Sequence, residues 1–183
     1  NHVINIGLDD ESGGYQMTKY LLECGYEEIK VCAGRDSGVD HLRYLGAERA
    51  MREAATENQK MQFVPLGMNY EKRKSNYDWL IRRRKPKTAL FFLSDMYALE
   101  AIRFCADKGV LVPDDIGVAG YDDISYAEYS TPRLTTVKQD VEWKAKLAVQ
   151  TVMRWIDSGE PAGEQEIELP VTLVKRKSVI EQH

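Results

Sequence analysis

An α/β fold, with a doubly wound parallel sheet flanked by helices, is the architecture this sequence predicts, and three observations predict it. Segments such as "KTALFFLSD" (residues 87–95) are apolar almost throughout instead of alternating, which suits a strand covered on both faces. Segments such as "MYALEAIRFCADKGV" (96–110) carry apolar residues three and four apart, which suits a helix with one buried side. The two kinds of segment alternate up to residue 122, the order expected of a parallel sheet whose strands are joined by covering helices.

Each element follows in turn. "HVINIGL" (2–8) alternates as a short strand does, and "DDESGGYQMTKYLLECGY" opens with Asp, Glu and Ser at a helix start, places Met17, Tyr20 and Leu21 inside, and stops at Gly25. "EEIKVCAG" (27–34) predicts the second strand. "LRYLGAERAMREAATEN" predicts a helix with Leu42, Leu45, Ala47, Ala50, Met51 and Ala54 on helical spacing. "MQFVPLG" reads as a strand, and "KSNYDWLIRRRK" as a helix whose basic residues fall in its last turn, where the dipole favours them. The strand at 87–95, a helix ending at Gly109 and the strand "DIGVAGYDD" continue the rhythm. After residue 122 it breaks: "PRLTTVKQD" is extended, "VEWKAKLAVQTVMRWIDSG" is an amphipathic helix stopped by Gly159, and "EQEIELPVTLVKRKSV" is terminal strand. These last pieces need not rejoin the same sheet.

A length of 183 residues with 43% hydrophobic side chains suffices for one sizeable domain or two small ones. The net charge of −4 gives no general attraction for nucleic acid, and "RRRKPK" (82–87) reads as a solvated helix end. Cys24, Cys32 and Cys105 lack CxxC spacing, which argues against a zinc ribbon, a redox motif or a disulfide framework and fits a reducing cytoplasm. No apolar window approaches the length of about 18 residues that a membrane span requires, and no export signal opens the chain. The opening "NHVINIGLDD" has no initiating Met and starts as if within a strand, so a piece of a longer protein is expected.

In an open parallel sheet, ligands bind beyond the carboxyl ends of the strands. The polar residues there are Asp9, Asp10, residues 36–43 and 68–70, Ser94, Asp95, Asp122 and Asp123. Enzyme readings find little material: the histidines are His2, His41 and His183, two of them at the termini, and no GxGxxG, GxxxxGK[ST] or GxSxG motif occurs. "SGG" (12–14) suits either a phosphate cradle at a helix start or close helix packing. For Asp122 and Asp123, a Mg²⁺ site shared with Asp95, a catalytic acid, a hydroxyl-bearing ligand and a plain turn all stay open. A carboxylate accepts two hydroxyl hydrogens at once, and the fork of Arg43 could donate to further oxygens of a sugar. Trp79, Trp143 and Trp155 occupy helical positions and are expected in core or interface packing.

Several of these stretches together resemble the effector-binding region of the LacI/GalR family of bacterial transcription regulators. They are "DDESGGYQMTKYLLECGYEEIKVCAG", "LRYLGAERAM", "TALFFLSDMYALEAIRFCADKGVLVPDDIGVAGYDD", "TPRLTTVKQD" and "LPVTLVKRKS", spanning almost the whole chain. The resemblance implies a type I periplasmic-binding-protein-like fold of two α/β subdomains with an effector in the cleft between them, mostly the C-terminal subdomain being present. On that pattern residues 1–8 are the last strand of the N-subdomain, 9–138 the C-subdomain, 139–163 an N-subdomain crossover helix, and 164–183 a return to the C-subdomain.

The resemblance assigns effector binding to Asp122, which grips hydroxyls, and Arg43, which donates, with Ser94, Asn69, Tyr70 and Gln139 around them. Asn69 aligns best with the family's aromatic stacking position, and stacking passes to Tyr70 if the loop shifts. Residues 35–42 align with nothing in the family, so specificity stays open there; some relatives bind purines or phosphorylated proteins instead of sugars. Leu99, Tyr126 and Tyr129 are candidates for a homodimer interface, the tyrosines equally for the cleft mouth. No catalytic residue, cofactor or metal is implied. The expected parent is a cytoplasmic, sugar-responsive repressor that meets operator DNA through an N-terminal helix-turn-helix head outside this chain and has no membrane partner; a periplasmic-type sugar-binding protein or a Mg²⁺-dependent phosphoryl-transfer enzyme are the alternatives. The helix after residue 140 has an apolar face (Ala145, Ala148, Val149, Val152, Trp155, Ile156) expected to be repositioned or covered by another copy.

Overall fold

The computed structural model describes residues 4–34, 38–158 and 165–180. His2, His183, the expected helix stop Gly159 and positions 35–37 of the loop lie outside them. The first half runs β1 (Ile4–Leu8), α1 (Asp10–Glu23), β2 (Glu28–Ala33), α2 (Gly38–Ala54), β3 (Lys60–Pro65), α3 (Tyr70–Arg82), β4 (Thr88–Phe92), α4 (Asp95–Asp107) and β5 (Gly117–Ala119). Then come α5 (Ser125–Tyr129), β6 (Thr136–Gln139), α6 (Val141–Ser158), β7 (Gln165–Leu169) and β8 (Val171–Val174).

The central sheet has the order β3-β2-β4-β5 with every pair parallel. Val31 stands between Phe63 and Phe91, and Phe91 faces Ala119 across the next ladder. Because side chains alternate along a strand, Ile29, Val31, Phe91 and Ala119 enter one core with Met17 and Leu21 of α1 and Ala47 of α2. Cys32, Leu90, Phe92 and Val118 enter a second core with Tyr77 and Leu80 of α3 and Ala98 and Ile102 of α4. Both faces of the sheet are covered, which is why β4 is buried from Thr88 to Phe92.

The break in rhythm after residue 122 is not a departure from the sheet. β6 lies beside β5 through parallel bridges at Ala119/Thr135 and Asp122/Lys138, and β8 pairs antiparallel with β6. The crossover is simply short: α5, a five-residue helix that the sequence pattern did not reveal, replaces a long one. Ser178 fastens the seam, its Oγ donating to Val118 O and accepting from the Thr135 amide.

Two pieces stand apart. β1 and β7 form their own two-stranded parallel sheet. Helix α6 buries none of its side chains from Val141 to Asp157, so of the core or interface packing expected for the tryptophans, Trp143 and Trp155, both exposed on α6, take no part in the core. Trp79 is partly buried and lies between the Lys30 ammonium (4.9 Å) and the Arg83 guanidinium (5.4 Å). Among the described residues, no helix is long and apolar enough to cross a membrane.

Candidate functional site

The site is organised by a close helix crossing. A Cβ on Gly14 of α1 would collide with the Arg43 carbonyl, and one on Gly46 of α2 with the Glu11 carbonyl. Only glycine permits this approach, so the "SGG" segment serves close packing. Its result is that Asp10, in the first turn of α1, meets Arg43, in the second turn of α2: Nε donates to Asp10 Oδ1 at 2.8 Å.

Arg43 is buried, and its other contacts are equally fixed. Nη1 donates to Leu93 O at the end of β4 (2.7 Å) and lies 3.6 Å from Asp122 Oδ1, while the guanidinium sits 3.8 Å over the ring of Tyr121. These contacts use Nε and Nη1, so the Nη2 amino group is not engaged by them. A guanidinium braced in this way donates in fixed directions.

Asp122 lies three residues beyond the end of β5, with φ of 116°, and Asp123 follows it with φ of 53°. Positive φ is uncommon for a residue with a side chain, though Asp tolerates it better than most, and such outliers concentrate at functional sites. Asp122 Oδ2 accepts from the Ser94 hydroxyl (3.2 Å) and Oδ1 from the Gln139 amide (3.3 Å). Ser94 is the N-cap of α4 but makes no side-chain cap bond, which leaves its hydroxyl for this role. Burial pushes the Asp122 carboxyl above its ordinary range, and Arg43 and Ser94 pull it back. Asp123 is both turn residue and anchor: its Oδ1 pairs with Arg176 Nη2 at 2.7 Å.

Ala33, Gly34, Val39, Asp40, Arg43, Leu93, Ser94, Tyr97 and Asp122 line a cavity of about 300 Å³ at the carboxyl ends of β2, β4 and β5. The structure therefore brings Asp122, Arg43, Ser94 and Gln139 together. Asn69 and Tyr70 stand elsewhere. Asn69 is exposed and spends its side chain as the N-cap of α3, accepting from Lys72 N (2.9 Å), and Tyr70 is exposed with Lys74 over its ring. The helix begins earlier than its apolar pattern suggested, and the cap bond occupies Asn69 Oδ1.

Asp95 belongs to the scaffold. Its buried carboxyl accepts from Thr136 Oγ1 (2.6 Å) and Ile124 N (3.0 Å), which ties α4 to β6 and to the loop after β5. Burial, opposed by those bonds and reinforced by Asp122 and Asp123, raises its pKa to about 7. Each of its two oxygens thus carries one bond of the scaffold. Among the described residues, no three His, Cys, Asp or Glu side chains gather as a metal site requires. Three residues had no role assigned from sequence: Asp10, Tyr97 and Tyr121. Asp10 stood among the strand-end carboxylates, but only the helix crossing shows its partner.

On the far side of α4, Leu99, Tyr126 and Tyr129 come together with Met96, Ile102 and Ala106 around an apolar groove of about 570 Å³. Tyr126 and Tyr129, three residues apart on α5, are 71% and 79% exposed and do not reach the Asp122 cavity.

A family model of the periplasmic binding protein-like domain matches residues 18–179. The HTH-type transcriptional repressor PurR of Haemophilus influenzae is 33% identical over 177 residues, 94% of this chain and 53% of that protein; the chain thus spans about half the length of such relatives. A LacI family transcriptional regulator from Enterococcus faecium with bound ribose superimposes with a TM-score of 0.83 at 25% identity, over 97% of this chain and 66% of that one. The lac repressor dimer bound to operator and an anti-inducer gives a TM-score of 0.77 at 28% identity, over 96% and 60%.

Proposed function

The chain belongs to the periplasmic-binding-protein-like family in the form found in LacI-type transcriptional regulators, and on that premise we propose that it binds a small sugar-like effector that controls DNA binding by the parent protein. The observation that carries this reading is the Asp122 carboxylate, held at positive φ beyond a parallel strand, between Ser94 and Gln139 and beside buried Arg43. Vicinal hydroxyls donate to such a carboxylate, and the guanidinium donates to the ring or hydroxyl oxygens. The role is recognition, not catalysis, and the setting is the cytoplasm.

Gln139 ends β6, and α6 begins two residues later, so a ligand gripping Asp122 and Gln139 bears on the base of α6. We assign α6 and the β1–β7 pair to a second subdomain, against which the exposed apolar face of α6 packs. An effector bridging the two would favour one relative orientation by its differential affinity and so reset the spacing of paired DNA-reading heads. The groove at Leu99, Tyr126 and Tyr129 serves homodimerisation.

Calorimetric titration of ribose, glucose and cellobiose into the full-length protein tests this. At least one sugar is expected to bind, and Asp122→Ala should weaken it about a hundredfold, the scale of losing two charge-assisted hydrogen bonds. Undiminished binding by that variant would sink the proposal.

A further inference from the structure

The cavity that holds Arg43, Ser94 and Asp122 is also lined by an aromatic ring, that of Tyr97, the third residue of α4. Two features fix that ring. A Cβ on Gly34, at the end of β2, would stand 2.5 Å from the Tyr97 hydroxyl and 2.8 Å from Cζ, so the phenol lies directly on the glycine backbone. Over one face of the ring, the Arg73 guanidinium carbon sits 5.0 Å from the centroid.

Arg73 is itself immobilised. Nε and Nη2 donate to the two carboxylate oxygens of Glu100, each at 2.7 Å, and Glu100 also accepts from Tyr77 OH at 2.8 Å. Nη1 donates to Met68 O at 3.0 Å, tethering the loop before α3. A bidentate pair with a third donor on the same carboxylate is far more geometry than a solvated ion pair requires. It spans α3 and α4 and ends on one face of a ring in the cavity.

We infer that Tyr97 is a specificity-determining residue of this site, the flat surface on which a cyclic sugar lays its C–H face while its hydroxyls reach Asp122, Arg43 and Ser94, and that Arg73 and Glu100 are positioning residues for it. This rests on the sugar-binding reading above. The ring carries a negative π-face that accepts polarised C–H groups, and the guanidinium contact on one face holds the ring in place. An acyclic polyol offers the same hydroxyls without the flat face.

The test titrates ribose, glucose, ribitol and hypoxanthine into the full-length protein and into five variants, with circular dichroism confirming the fold of each. Tyr97→Leu should weaken the best-binding sugar about fivefold to tenfold, the scale of one aromatic contact, and Tyr97→Phe, which keeps the face, by less than about twofold. The paired change Arg73→Leu/Glu100→Leu, which strands neither charge, should weaken it about threefold, yet cause no further loss in the Tyr97→Leu background. A merely structural brace would give additive losses. Sugar binding lost on Asp122→Ala but unchanged by Tyr97→Leu overturns the role of Tyr97 alone. Failure of both sugars to bind overturns the sugar reading and this inference with it. Hypoxanthine binding that depends on Tyr97 but not on Asp122 overturns the assignment of a sugar.

Discussion

Helices α4 and α6 are alike as sequences, each following a strand and each carrying an apolar stripe, but they meet opposite fates. α4 buries Ala98, Ala101, Ile102 and Cys105 against the sheet and presents Tyr97 to the cavity. α6 leaves Val149, Val152 and Ile156 exposed at 63%, 52% and 67%. Amphipathicity states that a helix has a partner surface; topology decides where that surface is. α4 returns to the sheet because β4 and β5 flank it in the chain and pair with each other, whereas α6 connects β6 to β7, which belong to different sheets.

The largest test of this contrast compares the two apolar surfaces directly. Phe91→Ala, deep between β2 and β5, should cost about 3–5 kcal/mol in urea unfolding, as ring deletions from packed cores do. A loss below about 1 kcal/mol would show that the β4 core is loosely packed.

A middle-sized effect concerns the scaffold at the site. Asp95 binds its proton more tightly folded than unfolded, so the folded state gains a proton between about pH 4 and pH 7. The stability it lends is complete below about pH 4 and is lost as pH rises through about 7, with a slope of at most about 1.4 kcal/mol per pH unit. Asp95→Asn, whose amide can serve both Ile124 N and Thr136 Oγ1, should flatten the melting temperature against pH in that window. An unchanged profile would mean that Asp95 stays ionised.

The smallest effect is expected at α6. Ile156→Ala in this chain should change unfolding free energy by less than about 0.5 kcal/mol, as at exposed positions generally. A concentration-dependent loss above about 1 kcal/mol would show instead that a second copy covers the face.

Much of the fold was legible in advance because its strands are buried on both faces and so are apolar without interruption, as in "TALFF". α5 was not, since a five-residue helix has no room for a period, and its tyrosines gave no signal of helix. The return of "PRLTTVKQD" to the sheet was hidden for a related reason: it rests on two isolated bridges and on Ser178, about forty residues downstream. At the site, Asp122 and Arg43 could be picked out by their positions at strand and helix ends. The capping by Asn69 and the placement of Tyr97 on the cavity could not, because each depends on where one helix begins.

The sequence by itself determined a doubly wound α/β body, the strand ends at which a ligand would sit, and the amphipathic character of α6, since periodicity and burial are local properties of the chain. The tertiary structure alone decided that Asp10 clamps Arg43, that Arg73 sits over the ring of Tyr97, and that Val149, Val152 and Ile156 of α6 stay exposed. The two contacts join residues about 25 or more positions apart. Nothing in a local pattern encodes them; they follow from how closely two glycine-bearing helices cross and from which strands pair.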